Sequence, residues 1–128
     1  MNLLVAYDST FEASMFQEAA KLAKAFDVFI HVVRTCSSKA NGQEIANLEH
    51  TLDEARRKYL DPHGIKSESH VLIRGMAPGE DLVQFAKEKN IDQIIIGIHR
   101  RSRVGKLVFG STAQYIILSA PCPVLIVR

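Results

Sequence analysis

The sequence has few cysteines, no long apolar run and no signal peptide, which excludes several classes of protein. Its two cysteines, Cys36 and Cys122, stand in no C-x-x-C or metal-binding spacing, so we expect bystander thiols rather than a disulfide or a cysteine metal site. No apolar run approaches the roughly 20 residues of a bilayer span. The first residues, MNLLV, lack the basic region and small-residue cleavage site of a signal peptide, which predicts a cytoplasmic protein.

A strong excess of charge of one sign is also missing. Sixteen Lys and Arg against 14 Asp and Glu give a formal net charge of +2, whereas proteins that bind the phosphate backbone usually carry a much larger basic excess. We therefore expect neither nucleic acid nor a membrane as the partner. The exception is a local basic cluster, formed by Arg100, Arg101, Arg103 and Lys106. It is either a solvated loop or a group that favours a polyphosphate.

The sequence does contain a regular alternation of apolar and amphipathic segments. Its 128 residues, 47% apolar and 23% charged, suit one globular domain over residues 1–128. Short apolar segments predict five strands, Leu3–Tyr7, Val28–Val33, Lys66–Ile73, Ile91–Ile96 and Val124–Val127. Helical spacing predicts four helices, Phe11–Phe26, Glu44–Leu60, Pro78–Asn90 and Thr112–Ser119. This alternation predicts an α/β fold with a five-stranded, parallel, doubly wound sheet.

The sheet topology predicts where a ligand would bind. In open parallel sheets, ligands bind beyond the carboxyl ends of the strands, where the direction of winding reverses. If the fourth strand returns to lie beside the first, that point lies between Asp8 and Gly97, which follow these two strands. Asp8 could accept a hydrogen bond from a sugar hydroxyl or an adenine amino group. The alternative, which Asp8 taken alone would favour, is a plain helix cap.

The segment from Gly97 to Ser111 carries the strongest signal for an anion site. Gly97 lacks a Cβ and could let the backbone approach a ligand. Gly110-Ser111-Thr112 opens the next apolar segment with a hydroxyl where a helix cap is expected, and helix N-termini attract phosphates. Alternatively, Gly97 eases a turn and Ser111 only caps. The segment is not a Walker A loop, and the first strand exits without the glycines of a Rossmann fingerprint.

Several stretches together resemble the universal stress protein family. They are LLVAYDST, IHVV, VLIRG before Pro78, and IIIGIHRRSRVGKLVFGSTAQYIILSAPCPVLIV at the carboxyl end. The likeness spans nearly the whole chain and is weakest between Thr35 and Ser69. It implies a Rossmann-like adenine-nucleotide-binding fold of strand order 3-2-1-4-5 and dimers paired through the last strand. In one branch of the family it also implies ATP, with or without Mg²⁺, held by a G-x-x-G-x9-G-S/T motif.

The resemblance assigns roles to particular residues. An Asp after the first strand and a backbone group in the second strand would touch adenine, while glycines and a hydroxyl would hold ribose and phosphates. These roles fall on Asp8, Val32, Gly97, Gly110 and Ser111, with Gly75, Ile98, His99, Arg100 and Thr112 as neighbours.

One residue departs from the motif. Where the family has its second glycine, this chain has Arg100. Its side chain would either occupy the space of the phosphates or pair with them. Two hypotheses follow: a regulatory dimer that binds ATP or a related adenine nucleotide, and an interaction protein of the same fold in which Arg100 occludes the pocket. A small hydrolase using Asp8 or Ser9 is a third.

No catalytic set or metal spacing is visible. His31 lies in an apolar strand, and His50, His63 and His70 show no spacing typical of metal ligands. We therefore expect a protein that is not an enzyme, although slow ATP hydrolysis is left open.

The last strand predicts an interface. Val124, Leu125, Ile126 and Val127 form an apolar strand at the expected edge of the sheet. Pairing with the same strand of a second copy would satisfy its free backbone groups, which favours a homodimer. The alternative is a monomer whose edge is guarded by Pro123 and Arg128.

Overall fold

A computed structural model of the chain describes residues 1–99 and 109–128. Arg100 and the rest of the basic cluster lie outside these ranges. The strands are β1 Asn2–Ala6, β2 Phe29–Thr35, β3 Lys66–Leu72, β4 Gln93–Gly97 and β5 Val124–Val127. The helices are α1 Glu12–Ala25, α2 Gly42–Tyr59, α3 Pro78–Glu88 and α4 Ser111–Ser119, with short 3-10 turns at Ser9–Phe11 and Asp61–His63. Within the described ranges, no helix combines the length and apolar character needed to cross a bilayer.

The strands form one parallel sheet of order β3-β2-β1-β4-β5, which confirms the predicted fold class. Val5 lies opposite Val32 on one side and Ile95 on the other, at the centre of the sheet. The winding runs outward from β1 to β3 and then returns to the other side of β1. Its reversal therefore lies between β1 and β4.

Both faces of the sheet are covered by helices, as parallel sheets require. Because side chains alternate along a strand, Leu3 and Val5 join one core and Leu4 joins the other. The first core includes Met15 and Phe16 of α1 and Leu52 of α2. The second core includes Leu82 and Phe85 of α3 and Ile116 of α4.

Some element boundaries differ from the prediction. β2 runs to Thr35 rather than Val33 because its pairing with β3 continues to that residue. α2 begins at Gly42 rather than Glu44, because Asn41 is its N-cap and its side chain accepts a hydrogen bond from the Glu44 amide at 2.8 Å. Ile91, predicted to start β4, instead closes the end of α3 by donating to the Ala86 carbonyl at 2.9 Å.

Candidate functional site

A cleft opens at the carboxyl ends of β1 and β4, where the winding reverses. Its volume is about 710 Å³, which is typical of sites for small molecules. The described residues that line it are 6–9, 33–35, 96–99, 109–110, 112–113, Pro78, Leu82 and Ile116. Asp8 and Gly97 thus lie on the same cleft, although they are far apart in the sequence.

Asp8 connects two walls of this cleft. It is the N-cap of the first 3-10 turn, and its Oδ1 accepts the Thr10 amide at 3.0 Å. Its Oδ2 lies 2.9 Å from Nε2 of His99, which follows β4. Burial raises the pKa of the Asp8 carboxyl, but the hydrogen bonds from His99 and Thr10 outweigh burial and leave that pKa below its ordinary value. Asp8 is therefore a carboxylate at neutral pH.

Gly97 is needed for packing against Phe11. A Cβ on Gly97 would lie 2.2 Å from Cδ2 of the Phe11 ring, which is far inside the contact distance of two carbon atoms. The same ring packs edge-on against His99, with centroids 4.9 Å apart. The missing Cβ therefore makes room for a protein side chain, a reason for this glycine that the sequence did not indicate. Gly97 still lines the cleft.

The N-terminus of α4 faces the cleft. Gly110 is its N-cap, with φ −64° and ψ 159°, and Ser111 is its first residue. The hydroxyl expected at the cap is thus one position too late, because the extended backbone ends at Gly110. Gly110 and Thr112 line the cleft. Since amides in the first turn of a helix lack acceptors within the helix and lie at its positive end, this wall suits an anion.

Close packing of α3 on α4 fixes the far wall. A Cβ on Gly79 would lie 3.0 Å from Cβ of Tyr115 and 3.3 Å from the Thr112 carbonyl oxygen. Gly79 is buried at the start of α3, so the two helices approach there more closely than any larger residue allows. Pro78 and Ala113, beside this contact, both line the cleft.

The cleft combines an apolar floor with a polar rim. Ile96 and Ile116 are at most 3% exposed, and Val33 is 1% exposed, so these side chains form a preformed apolar surface. Polar groups on the rim come from several elements: Asp8, Ser9, Arg34, Thr35, His99 and Thr112. A ligand with a flat apolar part would fit the floor, and hydroxyls and a negative charge on the same ligand would fit the polar rim.

The structure brings together most of the predicted site residues. Those that line the cleft are Asp8, Gly97, Ile98, His99, Gly110 and Thr112. Ser111 lies between two lining residues as the first residue of α4. Arg100 lies outside the described residues.

Two predicted site residues are not among the described residues that line the cleft. Val32 is fully buried within the sheet, and its side chain packs in the core beneath α1 and α2. Because β2 is longer than predicted, residues 33–35 reach the cleft instead. Gly75 lies in a left-handed turn beyond β3, with φ +70°, and β3 is an edge strand separated from β1 by β2.

Sequence reasoning missed several lining residues. Arg34 and Thr35 were excluded because the apolar run of β2 ends at Val33. Leu82 and Ile116 fall within two of the predicted helices, and helical periodicity does not say which apolar residues meet a cleft. Arg34 and Thr35 would have been included only if the second strand had been predicted to continue past its apolar residues.

An open parallel sheet, with a cleft at its reversal and a helix N-terminus in the cleft wall, defines the chain as an α/β protein of the doubly wound class. The model of the universal stress protein family matches residues 1–128. The chain therefore belongs to the universal stress protein family, as its sequence resemblance predicted.

Curated relatives agree with this assignment. A universal stress protein of Synechocystis sp. is 31% identical over 127 residues, which are 98% of this chain and 42% of that protein. A universal stress protein of Thermus aquaticus is 34% identical over 76 residues, 59% of this chain and 55% of that protein. The chain thus matches about half the length of these relatives.

Solved structures share the fold over the whole chain. A universal stress protein of Archaeoglobus fulgidus has a TM-score of 0.86 at 34% identity, and the match covers 100% of this chain and 98% of that one. A structure of the universal stress protein from that organism in complex with dAMP has a TM-score of 0.84 at 30% identity, with the same coverage. An Arabidopsis thaliana family member with bound AMP, 16% identical with a TM-score of 0.66 over 99% of this chain and 90% of that one, shares the fold alone.

Proposed function

We propose that this chain binds ATP or a related adenine nucleotide in the cleft between β1 and β4 and acts as a regulatory dimer in the stress response. The observation that carries the proposal is the cleft itself. It joins an apolar floor, the Asp8 carboxylate and the N-terminus of α4 at the reversal of a parallel sheet. The dAMP complex of the 30% identical relative supports the nucleotide class.

Each part of a nucleotide has a matching surface in the proposed mode of binding. The base packs on the buried side chains of Val33 and Ile96. Asp8 accepts a hydrogen bond from a ribose hydroxyl or the adenine amino group, because a carboxylate that already holds two donors has further lone pairs. The phosphates lie against the amides of Ser111 and Thr112 at the positive end of α4.

The described residues offer little for catalysis or for a bound metal. Asp8 is the sole carboxylate among the described residues that line the cleft, so Mg²⁺ would be held mainly by the nucleotide's phosphates. The same carboxylate is engaged with His99 and Thr10, which leaves it poorly placed as a general base. We infer a binding protein whose ATP hydrolysis, if measurable, is slow.

The dimer is proposed through β5. This strand is at the edge of the sheet opposite β3, and Ile126 on it is 40% exposed. Pairing of β5 with its copy would satisfy the free backbone groups of the edge and cover this side chain. A cytoplasmic location remains a prediction from the sequence.

Calorimetry with ATP, dAMP and GTP in the presence of Mg²⁺ tests the nucleotide proposal. We expect adenine nucleotides to bind with a Kd between about 0.1 and 50 µM and GTP to bind more weakly. Ala113→Phe places a ring in the cleft and abolishes binding, whereas Ala46→Phe, on the exposed face of α2, leaves it intact. Asp8→Asn weakens binding about tenfold, since a hydrogen bond to a charged acceptor is lost.

The alternative is an interaction protein that binds no nucleotide. Its basis is the departure from the family motif at Arg100. If the wild type gives no heat at about 1 mM ATP while Arg100→Gly binds, this alternative is correct. If neither protein binds, the cleft has another ligand and the nucleotide proposal fails. Release of phosphate measured in the same samples would reveal any hydrolysis.

A further inference from the structure

A cluster of two imidazoles and one carboxylate lies on the sheet near the edge strand β3. Nδ1 of His31 is 3.0 Å from Nε2 of His70, and that nitrogen is 3.5 Å from Oε2 of Glu68. One ligand atom from each of the three residues lies within 4.8 Å of the others. We propose that His31, Glu68 and His70 bind a divalent transition-metal ion, with Zn²⁺ as the best fit.

The strand register builds this cluster from residues distant in sequence. His31 of β2 lies opposite Glu68 of β3, and His70 is two residues further along β3. Since residues two apart on a strand share a face, Glu68 and His70 both point to the face that carries His31. Ser67 and Ser69 alternate with them and bond instead to Arg56 and Asp53 of α2 on the other face.

The distances suit a tetrahedral ion. Zn²⁺ bonds to imidazole nitrogen and carboxylate oxygen at about 2.0 to 2.2 Å, so its ligand atoms lie about 3.3 to 3.5 Å apart. Two of the three separations are already 3.0 and 3.5 Å. The third closes by rotation of the Glu68 side chain, which is 58% exposed and therefore free to move. Three protein ligands leave the fourth position for water.

Aromatic packing holds the two imidazoles in place. The ring of Phe85, from α3, lies 5.6 Å from that of His31 and 4.9 Å from that of His70, centroid to centroid. The ring of Phe29 lies 4.9 Å from that of His31, again between centroids. Ligands that are already oriented lose little freedom when they bind a metal. Nitrogen and oxygen donors of this kind favour Zn²⁺ and its neighbours over Mg²⁺ or Ca²⁺.

Several electrostatic effects act on the site. Burial lowers the pKa of both imidazoles, and the charge of the Glu68 carboxylate opposes this shift. The charge of Lys89 also acts on both rings, and a positive charge nearby weakens the binding of a cation. We therefore expect micromolar rather than nanomolar affinity.

Titration of chelator-treated protein with ZnCl₂ tests the site. We expect one Zn²⁺ per chain, with binding at least about tenfold weaker in His70→Gln and Glu68→Gln. His50→Gln and His63→Gln are matched controls with unchanged affinity, because these histidines are exposed and outside the cluster. Co²⁺ provides a second readout, since its visible absorption reports tetrahedral coordination in the wild type and its loss in His70→Gln.

Other outcomes would overturn the proposal. Absence of binding at about 1 mM Zn²⁺ would show that the two histidines only hydrogen-bond to each other. Binding that survives in His70→Gln, or disappears in His50→Gln, would place the ion elsewhere, for example at the His50 and Glu54 pair on α2. Because circular dichroism of each variant reports folding separately, a loss of binding in a folded His70→Gln protein is informative.

Discussion

The Phe11 ring and Gly97 occupy adjoining space beneath the cleft. Because a Cβ at position 97 would overlap the ring at 2.2 Å, Gly97→Ala forces the ring or the strand to move. We expect this variant to lose about 1 to 3 kcal/mol of unfolding free energy, the usual cost of overpacking. Urea denaturation measures this loss.

A second substitution, at Phe11, tests whether the clash with the Phe11 ring is what makes Gly97→Ala destabilising. Phe11→Ala removes the ring, so Gly97→Ala in that background should cost little. A double-mutant cycle compares the two costs. If Gly97→Ala costs the same with and without the ring, the clash with Phe11 is not the reason for the glycine.

The Asp8 carboxylate predicts a contribution to stability that depends on pH. Its pKa is lowered in the folded chain, so the unfolded chain takes up a proton first as the pH falls. The stabilisation is therefore present above about pH 4, the ordinary pKa of Asp, and is lost as the pH falls through the lowered folded value. Asp8→Asn should remove this dependence while its side-chain oxygen still accepts the Thr10 amide.

Urea midpoints of both proteins from neutral pH down to about pH 2.5 test this. The difference between wild type and Asp8→Asn should shrink as the pH falls below about 4. Curves that stay parallel over this range would contradict a role for the carboxylate. His99→Ala, which removes one of its two partners, should show an intermediate dependence.

At the scale of elements, an ion pair network joins the end of β3 to α3. Nε of Arg74 donates to Oδ1 of Asp81 at 2.6 Å, and Nη1 of Arg74 donates to the two carboxylate oxygens of Glu88 at 2.8 and 2.9 Å. The Asp81 side chain is only 2% exposed. The network holds the loop before Pro78, a residue of the cleft wall, against its helix.

Loss of Arg74 should leave a buried charge without its partner. We expect Arg74→Met to cost about 2 to 3 kcal/mol, less than the full 3 to 5 for a buried pair because a third of the Arg74 side chain is exposed. Glu88→Gln, at a carboxylate that is 39% exposed, should cost less than about 1 kcal/mol. Thermal unfolding compares the two, and equal losses would show that burial of Asp81 is not decisive.

Element prediction succeeded where the signal is local. The apolar runs of β1 and β5 and the helical spacing of α3 depend on neighbouring residues, so periodicity found them. The end of β2 was missed because Arg34 and Thr35 are polar and stay in the strand through pairing with β3. The cap of α4 was misplaced because a glycine without a side chain performs that role.

For the whole molecule, the exposed edge of β5 predicts the oligomeric state. Ile126→Lys places a charge on this edge strand, which disfavours pairing with a second copy. We expect a dimeric wild type and a monomeric, folded Ile126→Lys in sedimentation equilibrium at about 50 µM. Ile73→Lys is a matched control, since Ile73 is 37% exposed and follows β3 at the opposite edge. A monomeric wild type, or a dimer that persists in Ile126→Lys, would contradict pairing through β5.

The sequence by itself determined the elements, their alternation and the family. Strand and helix periodicities are properties of short segments, and the family motif is largely contiguous around Gly97 and Gly110. From these, the parallel sheet and the approximate place of a cleft followed. The order of the strands was implied by the resemblance rather than by any one pattern.

Only the tertiary structure decided which side chains meet. Asp8 bonds to His99 across 91 positions of the chain, and His31 lies against His70 across 39. Such contacts depend on strand order and register together, because a shift of one residue would turn each side chain to the other face of the sheet. The hydrophobic pattern of a segment constrains only the strand that it forms. It could therefore place each of these residues on or after a strand, but it could not show which of them are in contact.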